Sequence, residues 1–188
     1  GTDIIIAMRY NTLPQQVAYL IDISSLKELS EIREEGDEII IGAGITHTEI
    51  EENRLLQDFV PFLCSASRAV GSPQIRNRGT VGGNLVTSAQ CADTIPPLMV
   101  LEASLVLRST KGERILTIGD FLTGPKKTAI TVNELLVEIR FQKPPRNAKG
   151  IFTKLIRREA VAKSRISVAA LAQQDSAGVV TILRLAPG

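Results

Sequence analysis

The chain has 188 residues, 44% of them hydrophobic and 22% charged, and its 22 basic and 20 acidic residues leave a net charge of +2. This is the profile of an ordinary globular protein, long enough to bury a substantial core in one or two domains. A balanced charge, two Tyr, five Phe and no Trp argue against nucleic acid, and no apolar run approaches the roughly 20 residues of a membrane span.

In chain order, Asp3 to Met8 reads as a first buried strand and Ala18 to Ile23 as a second. Glu31 to Gly42 reads as a hairpin turning at Glu34-Glu35-Gly36-Asp37. Gly42-Ala43-Gly44 follows, and Thr46-His47-Thr48-Glu49 fits a capping box opening a helix. Phe59, Phe62, Leu63, Ala66 and Val70 recur at helical spacing, which predicts a helix from about Gln57 to Val70. Asp93 to Leu101 reads as a helix with Pro96 and Pro97 near its start. Ser104 to Ser109 alternates as a strand and turns at Lys111-Gly112 into Ile115-Leu116-Thr117, and Gly119 to Pro125 reads as a loop. Glu134 to Phe141, Gly150 to Arg157, Ile166 to Gln173 and Val179 to Leu185 are further strands, the last pair closed by Asp175-Ser176-Ala177-Gly178. Parallel-type and hairpin signals with few helices make the expected class α+β, with a boundary near Gly124-Pro125.

The most informative run is Arg78-Gly79-Thr80-Val81-Gly82-Gly83-Asn84. Three glycines in five positions, between a cation and an amide, suit a loop that holds an anion. Glycine allows positive φ and close approach, and successive N–H groups can aim at phosphate oxygens. The spacing is that of neither a P-loop nor a Rossmann fingerprint. The alternative is a tight turn ahead of an apolar strand at Asn84-Leu85-Val86. Gly1-Thr2-Asp3 and Gly42-Ala43-Gly44 are further glycine-bearing turns beside strands. The three either converge on one extended ligand bearing a pyrophosphate or are independent turns.

Side-chain catalysis has little support. His47 is the only histidine and reads as a structural neighbour of the capping box, and no G-x-S-x-G elbow is present. Cys64 and Cys91 form no CxxC pair, and with one histidine they fall short of a four-ligand zinc or iron–sulfur site. They read as reduced, mostly buried thiols of a cytoplasmic protein. In an enzyme of this composition a cofactor carries the chemistry. The chain opens on Gly1 without methionine and closes on Ala186-Pro187-Gly188, so both ends read as cut from a longer polypeptide.

Several strings together resemble a known family. Gly1 to Arg9, Ile41 to Ile50, Ile75 to Asn84 followed by Ala92-Asp93, Glu134 to Ile139 and Lys154 to Glu159 are similar, in order, to the FAD-binding (medium) subunits of molybdenum hydroxylases. That family includes the medium subunits of carbon monoxide dehydrogenase-type enzymes and the central domain of xanthine dehydrogenase. The resemblance implies a two-subdomain FAD-binding fold of the vanillyl-alcohol-oxidase (PCMH) type in residues 1–124. A smaller antiparallel-sheet C-terminal domain would follow in residues 125–188, with both ends truncated. It implies that Thr80, Val81, Gly82, Gly83 and Asn84 hold the pyrophosphate, and that Gly1, Thr2, Asp3 and Ile4 survive from a first FAD loop. Asp93 would accept from the cofactor, and Leu136 and Lys154 would line the isoalloxazine, with a surface role as the alternative for Lys154. No side chain is assigned to catalysis and none to a metal. The implied task is to pass electrons from an iron–sulfur small subunit, reduced by a molybdopterin-binding large subunit, through FAD to an acceptor such as NAD. A stand-alone flavin oxidoreductase of the same fold and a scaffold subunit that has lost FAD are the competing readings.

Overall fold

The computed structural model describes residues 1–13, 17–155 and 166–188. The chain opens with α1 (Thr2–Arg9) and reaches a 3-10 turn at Lys27–Leu29, then β1 (Ile32–Glu35) and β2 (Glu38–Gly42). Five short helices follow: α2 (His47–Glu52), α3 (Arg54–Phe59), α4 (Pro61–Arg68), α5 (Pro73–Arg76) and α6 (Val81–Thr87). Next come α7 (Ile95–Val100), β3 (Ser104–Ser109), β4 (Gly112–Thr117), α8 (Ile118–Phe121), β5 (Leu122–Gly124) and β6 (Lys127–Thr128). The chain ends in β7 (Leu135–Gln142), β8 (Lys149–Leu155), β9 (Ile166–Gln174) and β10 (Val180–Pro187). The strand expected over Gly150 to Arg157 is described as far as Leu155, and Ile156 and Arg157 lie outside the described residues.

Helix and sheet are mixed, as expected, but among the described strands every pairing is antiparallel, against the parallel-type signals read from the sequence. The main sheet has five strands in the order β1-β2-β7-β3-β4, and a second has three in the order β10-β9-β8. β7 follows Gly124-Pro125 in the chain and lies between β2 and β3, where Ile139 pairs with both Ile41 and Leu105. One face of the main sheet (Ile39, Ile41, Leu105, Leu107, Ile139, Phe141) packs on Ile50, Leu56, Leu63, Leu85 and Leu98 from the helices. Each such fully buried side chain contributes about 1.5–3 kcal/mol. On the other face Leu29 covers Val106 and Val137. The three-stranded sheet lays Phe152, Ala169 and Leu171 against the same core, with β8 on α4 and β9 and β10 on α7. Gly150 makes this fit possible, because a Cβ there would fall inside the Phe62 ring.

Several local expectations are corrected. Asp3 to Met8 is helical and has no buried residue. Its isoleucines favour a strand, but a strand needs a ladder partner, and no described strand pairs with it. Ala18 to Ile23 has no regular structure and is exposed for the same reason. The single helix expected over Gln57 to Val70 is two: α3 stops at Val60, and Pro61 opens α4. Proline lacks the N–H to continue α3 and pushes the preceding residue out of helical geometry. Gly119 to Pro125 carries the turn of α8, capped by Thr117, and the short β5.

Candidate functional site

The Gly79–Asn84 segment enters a helix, not the strand expected at Asn84-Leu85-Val86. Thr80 is the N-cap of α6, and its Oγ1 accepts from the Gly83 N–H at 3.0 Å. Most amides here are already committed. Val81 N–H donates to the Ile45 carbonyl at 2.9 Å, Gly82 N–H to the Ala43 carbonyl at 3.0 Å, and Asn84 N–H to the Thr80 carbonyl at 3.0 Å. A Cβ at Gly82 would lie 2.6 Å from both the carbonyl oxygen and Cβ of Ala43, so this glycine lets two backbones pack. Gly83 is exposed, and a Cβ there would meet only Thr80 Oγ1, at 3.0 Å. Its N–H is held only by the Thr80 hydroxyl, and the Thr80 N–H has no hydrogen-bond partner among the described residues, so these are the two amides of the run least committed to the backbone.

Gly42 and Gly44 also serve packing. A Cβ at either would collide with the Leu29 carbonyl, which accepts from Gly44 N–H at 2.7 Å. Gly1 stands at the start of α1, where Thr2 is half-buried and Asp3 and Ile4 are exposed. Two Ser24 hydrogen bonds hold the Asp22 carboxyl below its ordinary value, with smaller attractions from Arg78 and the Gly1 amino group. The start of α1 and the cation that precedes the glycine run therefore act on one carboxylate.

Behind α6 lies a cluster of polar side chains. Thr94 Oγ1 donates to Asn84 Oδ1 at 2.7 Å, and the Asn84 side-chain NH2 has no partner among the described residues. Lys154 reaches across from β8, donating to Asp93 Oδ2 at 2.9 Å and to the Ala69 carbonyl at 2.6 Å. The two side chains are 11% and 7% exposed, so Lys154 is no surface lysine. Asp93 Oδ1 is buried and without a hydrogen-bond partner among the described residues. Burial pushes the Asp93 carboxyl above its ordinary value, while Lys154 pulls it down less strongly. Leu136 is enclosed in the core, paired across the sheet with Leu107.

His47 opens α2 beside the capping box of Thr46 and Glu49, as expected, and is buried. Its N–H donates to the Gly79 carbonyl at 3.0 Å. Burial and, less strongly, Arg76 bring the imidazole down to about 4, and its Nδ1 has no partner among the described residues. The Cys64 thiol donates to the Ile50 carbonyl at 3.3 Å and is pushed up to about 11 by burial, which makes it unreactive. Sequence reasoning missed Thr94, Ala43 and the Ala69 carbonyl. Thr94 was open to inference from its place next to Asp93, but the other two act through backbone carbonyls, which residue identity does not reveal.

The fold is that of a flavin-bearing chain of a molybdenum enzyme. It superimposes over its whole length, with a TM-score of 0.93 and 29% identity, on 64% of a chain of carbon monoxide dehydrogenase from Hydrogenophaga pseudoflava. Residues 1–144 match the family described as the FAD binding domain in molybdopterin dehydrogenase; the chain belongs to that family, and FAD is its cofactor. It is 38% identical to the nicotinate dehydrogenase FAD-subunit of Eubacterium barkeri, over 96% of this chain and 62% of that one. It is 34% identical to the xanthine dehydrogenase FAD-binding subunit of Escherichia coli O157:H7, over 100% of this chain and 64% of that one. The chain thus spans less than two thirds of the length of these relatives.

Proposed function

We propose that this chain is the FAD-holding electron-transfer module of a molybdopterin-dependent dehydrogenase, built on the PCMH-type fold. A small subunit with iron–sulfur clusters supplies its electrons, a large molybdopterin-binding subunit oxidises the substrate, and an acceptor such as NAD takes the electrons away. The relatives support this, being named as FAD or medium subunits of nicotinate, xanthine and carbon monoxide dehydrogenases.

The observation that carries the reading is the buried Asp93 Oδ1, without a partner among the described residues, on the carboxylate that Lys154 holds and next in the chain to Thr94, which bonds the Asn84 side chain. A buried acceptor left unpaired costs about 1–3 kcal/mol, so the site suits a ligand that brings a donor to it. These residues fit FAD, which carries phosphate acceptors together with ribose and ring N–H donors. Gly83 N–H, Thr80 Oγ1 and the Asn84 side chain hold the phosphates, while Val81 and Gly82 shape the turn. Gly1, Thr2, Asp3 and Ile4 contribute from the start of α1, Leu136 backs the site from the core, and Asp93 orients the cofactor through Oδ1. Lys154 offsets negative charge on the ring, its own charge tempered by Asp93. Bound FAD supplies the redox chemistry, taking up and releasing electrons singly or in pairs.

A visible absorption spectrum of the purified chain, after incubation with excess FAD and gel filtration, tests this. Stoichiometric flavin bands are expected. A chain that stays colourless sinks the assignment.

A further inference from the structure

We infer that the Gly42–His47 loop is a brace that fixes which donors the Gly79–Asn84 segment can offer, with Ala43 and His47 as positioning residues for the FAD phosphates. This rests on the functional reading above.

Three hydrogen bonds join the two segments: Gly82 N–H to the Ala43 carbonyl at 3.0 Å, and Val81 N–H to the Ile45 carbonyl at 2.9 Å with His47 N–H to the Gly79 carbonyl at 3.0 Å, the last two forming the β-bridge between Thr46 and Thr80. The brace is itself anchored. Ala43 N–H donates to the Val137 carbonyl of the central strand at 2.9 Å, and Gly44 N–H to the Leu29 carbonyl at 2.7 Å. Glu49 accepts from the Thr46 N–H at 2.8 Å and so locks the loop onto α2. An unbroken set of hydrogen bonds therefore runs from the middle of the main sheet to the glycine run.

Two side chains keep the fit tight. The Ala43 methyl lies 2.6 Å from where a Cβ on Gly82 would stand, and the His47 ring lies 3.4 Å from where a Cβ on Gly79 would be. Neither residue needs to touch a ligand. The Ile45 and Ala43 carbonyls take up the amides of Val81 and Gly82, which leaves the Thr80 N–H, the Gly83 N–H held only by a hydroxyl, and the Asn84 side chain to a ligand. The imidazole is uncharged at neutral pH, as burial first and the neighbouring Arg76 second require.

The test compares the full chain with His47→Ala and, separately, Ala43→Val, using amide hydrogen exchange and titration with FAD and with riboflavin, which lacks phosphates. In the unsubstituted chain the Val81 and Gly82 amides should be protected. Each variant should speed their exchange at least tenfold, with the β2 amides unchanged, and raise the Kd for FAD at least tenfold while that for riboflavin stays within twofold. His47→Asn, which keeps more of the side-chain bulk beside Gly79 than alanine does, should recover part of the FAD affinity. Unchanged protection of Val81 and Gly82 in both variants overturns the brace, as does equal weakening of FAD and riboflavin. If the unsubstituted chain binds no FAD while those amides stay protected, the FAD reading falls, and the ligand half of the proposal with it.

Discussion

Lys154 of β8 donates to Asp93 at 2.9 Å across 61 positions of the chain, and it ties the three-stranded sheet to the segment leading into α7. Replacing one partner of a buried pair strands the other, at a cost of about 3–5 kcal/mol. Lys154→Met should therefore lower stability by about that amount at neutral pH. The sign with pH follows from the carboxyl. Burial already raises the Asp93 pKa in the folded state, and without Lys154 it rises further, so the folded variant takes up a proton before the unfolded chain does. The deficit should shrink as pH falls and grow as pH rises through the folded pKa. Urea unfolding at pH 5 and pH 7.5 measures this; a deficit equal at both would contradict the ion-pair account.

Gly82 and Gly83 should separate stability from ligand binding. Gly82→Ala forces a Cβ to within 2.6 Å of the Ala43 backbone, and overpacking of this kind costs about 1–3 kcal/mol. Gly83→Ala meets only a rotatable hydroxyl and gains helix propensity, so its stability should change by less than about 1 kcal/mol. It should still weaken FAD binding, because the added methyl crowds the Gly83 N–H and the Thr80 hydroxyl that holds it. Thermal unfolding paired with flavin retention distinguishes the two, and a Gly83→Ala chain that holds FAD normally removes that amide from the site.

His47 should impose an acid limit on the fold. Its pKa falls from 6.5 to about 4 on folding, so between those values the unfolded chain binds the extra proton and stability declines as pH decreases. The full contribution is about 3 kcal/mol. His47→Gln, which cannot titrate, should lose less stability between pH 7.5 and pH 4.5. Parallel loss in the two proteins would mean the buried imidazole contributes no pH dependence.

Gly150→Ala should loosen the three-stranded sheet from α4, since the new methyl would occupy the Phe62 ring. A loss of about 1–3 kcal/mol is expected, with faster hydrogen exchange in β8 and β9 than in β2. Gly150→Ala combined with Phe62→Leu should restore part of it. Absence of any rescue would place the strain elsewhere.

The strands from Glu31 to Gly42 and from Ser104 to Thr117 were legible because each is a hairpin whose partner lies a few residues away. The capping box at Thr46 was legible for the same reason, as was the importance of Gly79 to Asn84. What could not be read was decided at a distance. Ile4 to Ile6 look like a strand, but no described strand lies alongside them. Gly82 looks like a phosphate glycine, but its lack of a side chain is spent on Ala43, 39 positions earlier in the chain. The resemblance implied Asp93 and Lys154 separately; that they meet, and that one oxygen of Asp93 has no partner among the described residues, belongs to the folded chain.

The central place of β7 has a consequence for how the protein is made. The β1–β2 and β3–β4 hairpins leave the ribosome before residues 135–142, each with a bare edge awaiting the same strand. Until Gln142 has emerged these are two unjoined ribbons with unpaired apolar edges, the kind of surface that captures other nascent chains. Closing the sheet brings β7 to a partner about a hundred positions back, as in the pairing of Ile139 with Ile41, so the step is non-local and slow by topology. Expression yield should therefore respond more to chaperone supply and to substitutions in β7 than to changes of the same size in β1 or β4.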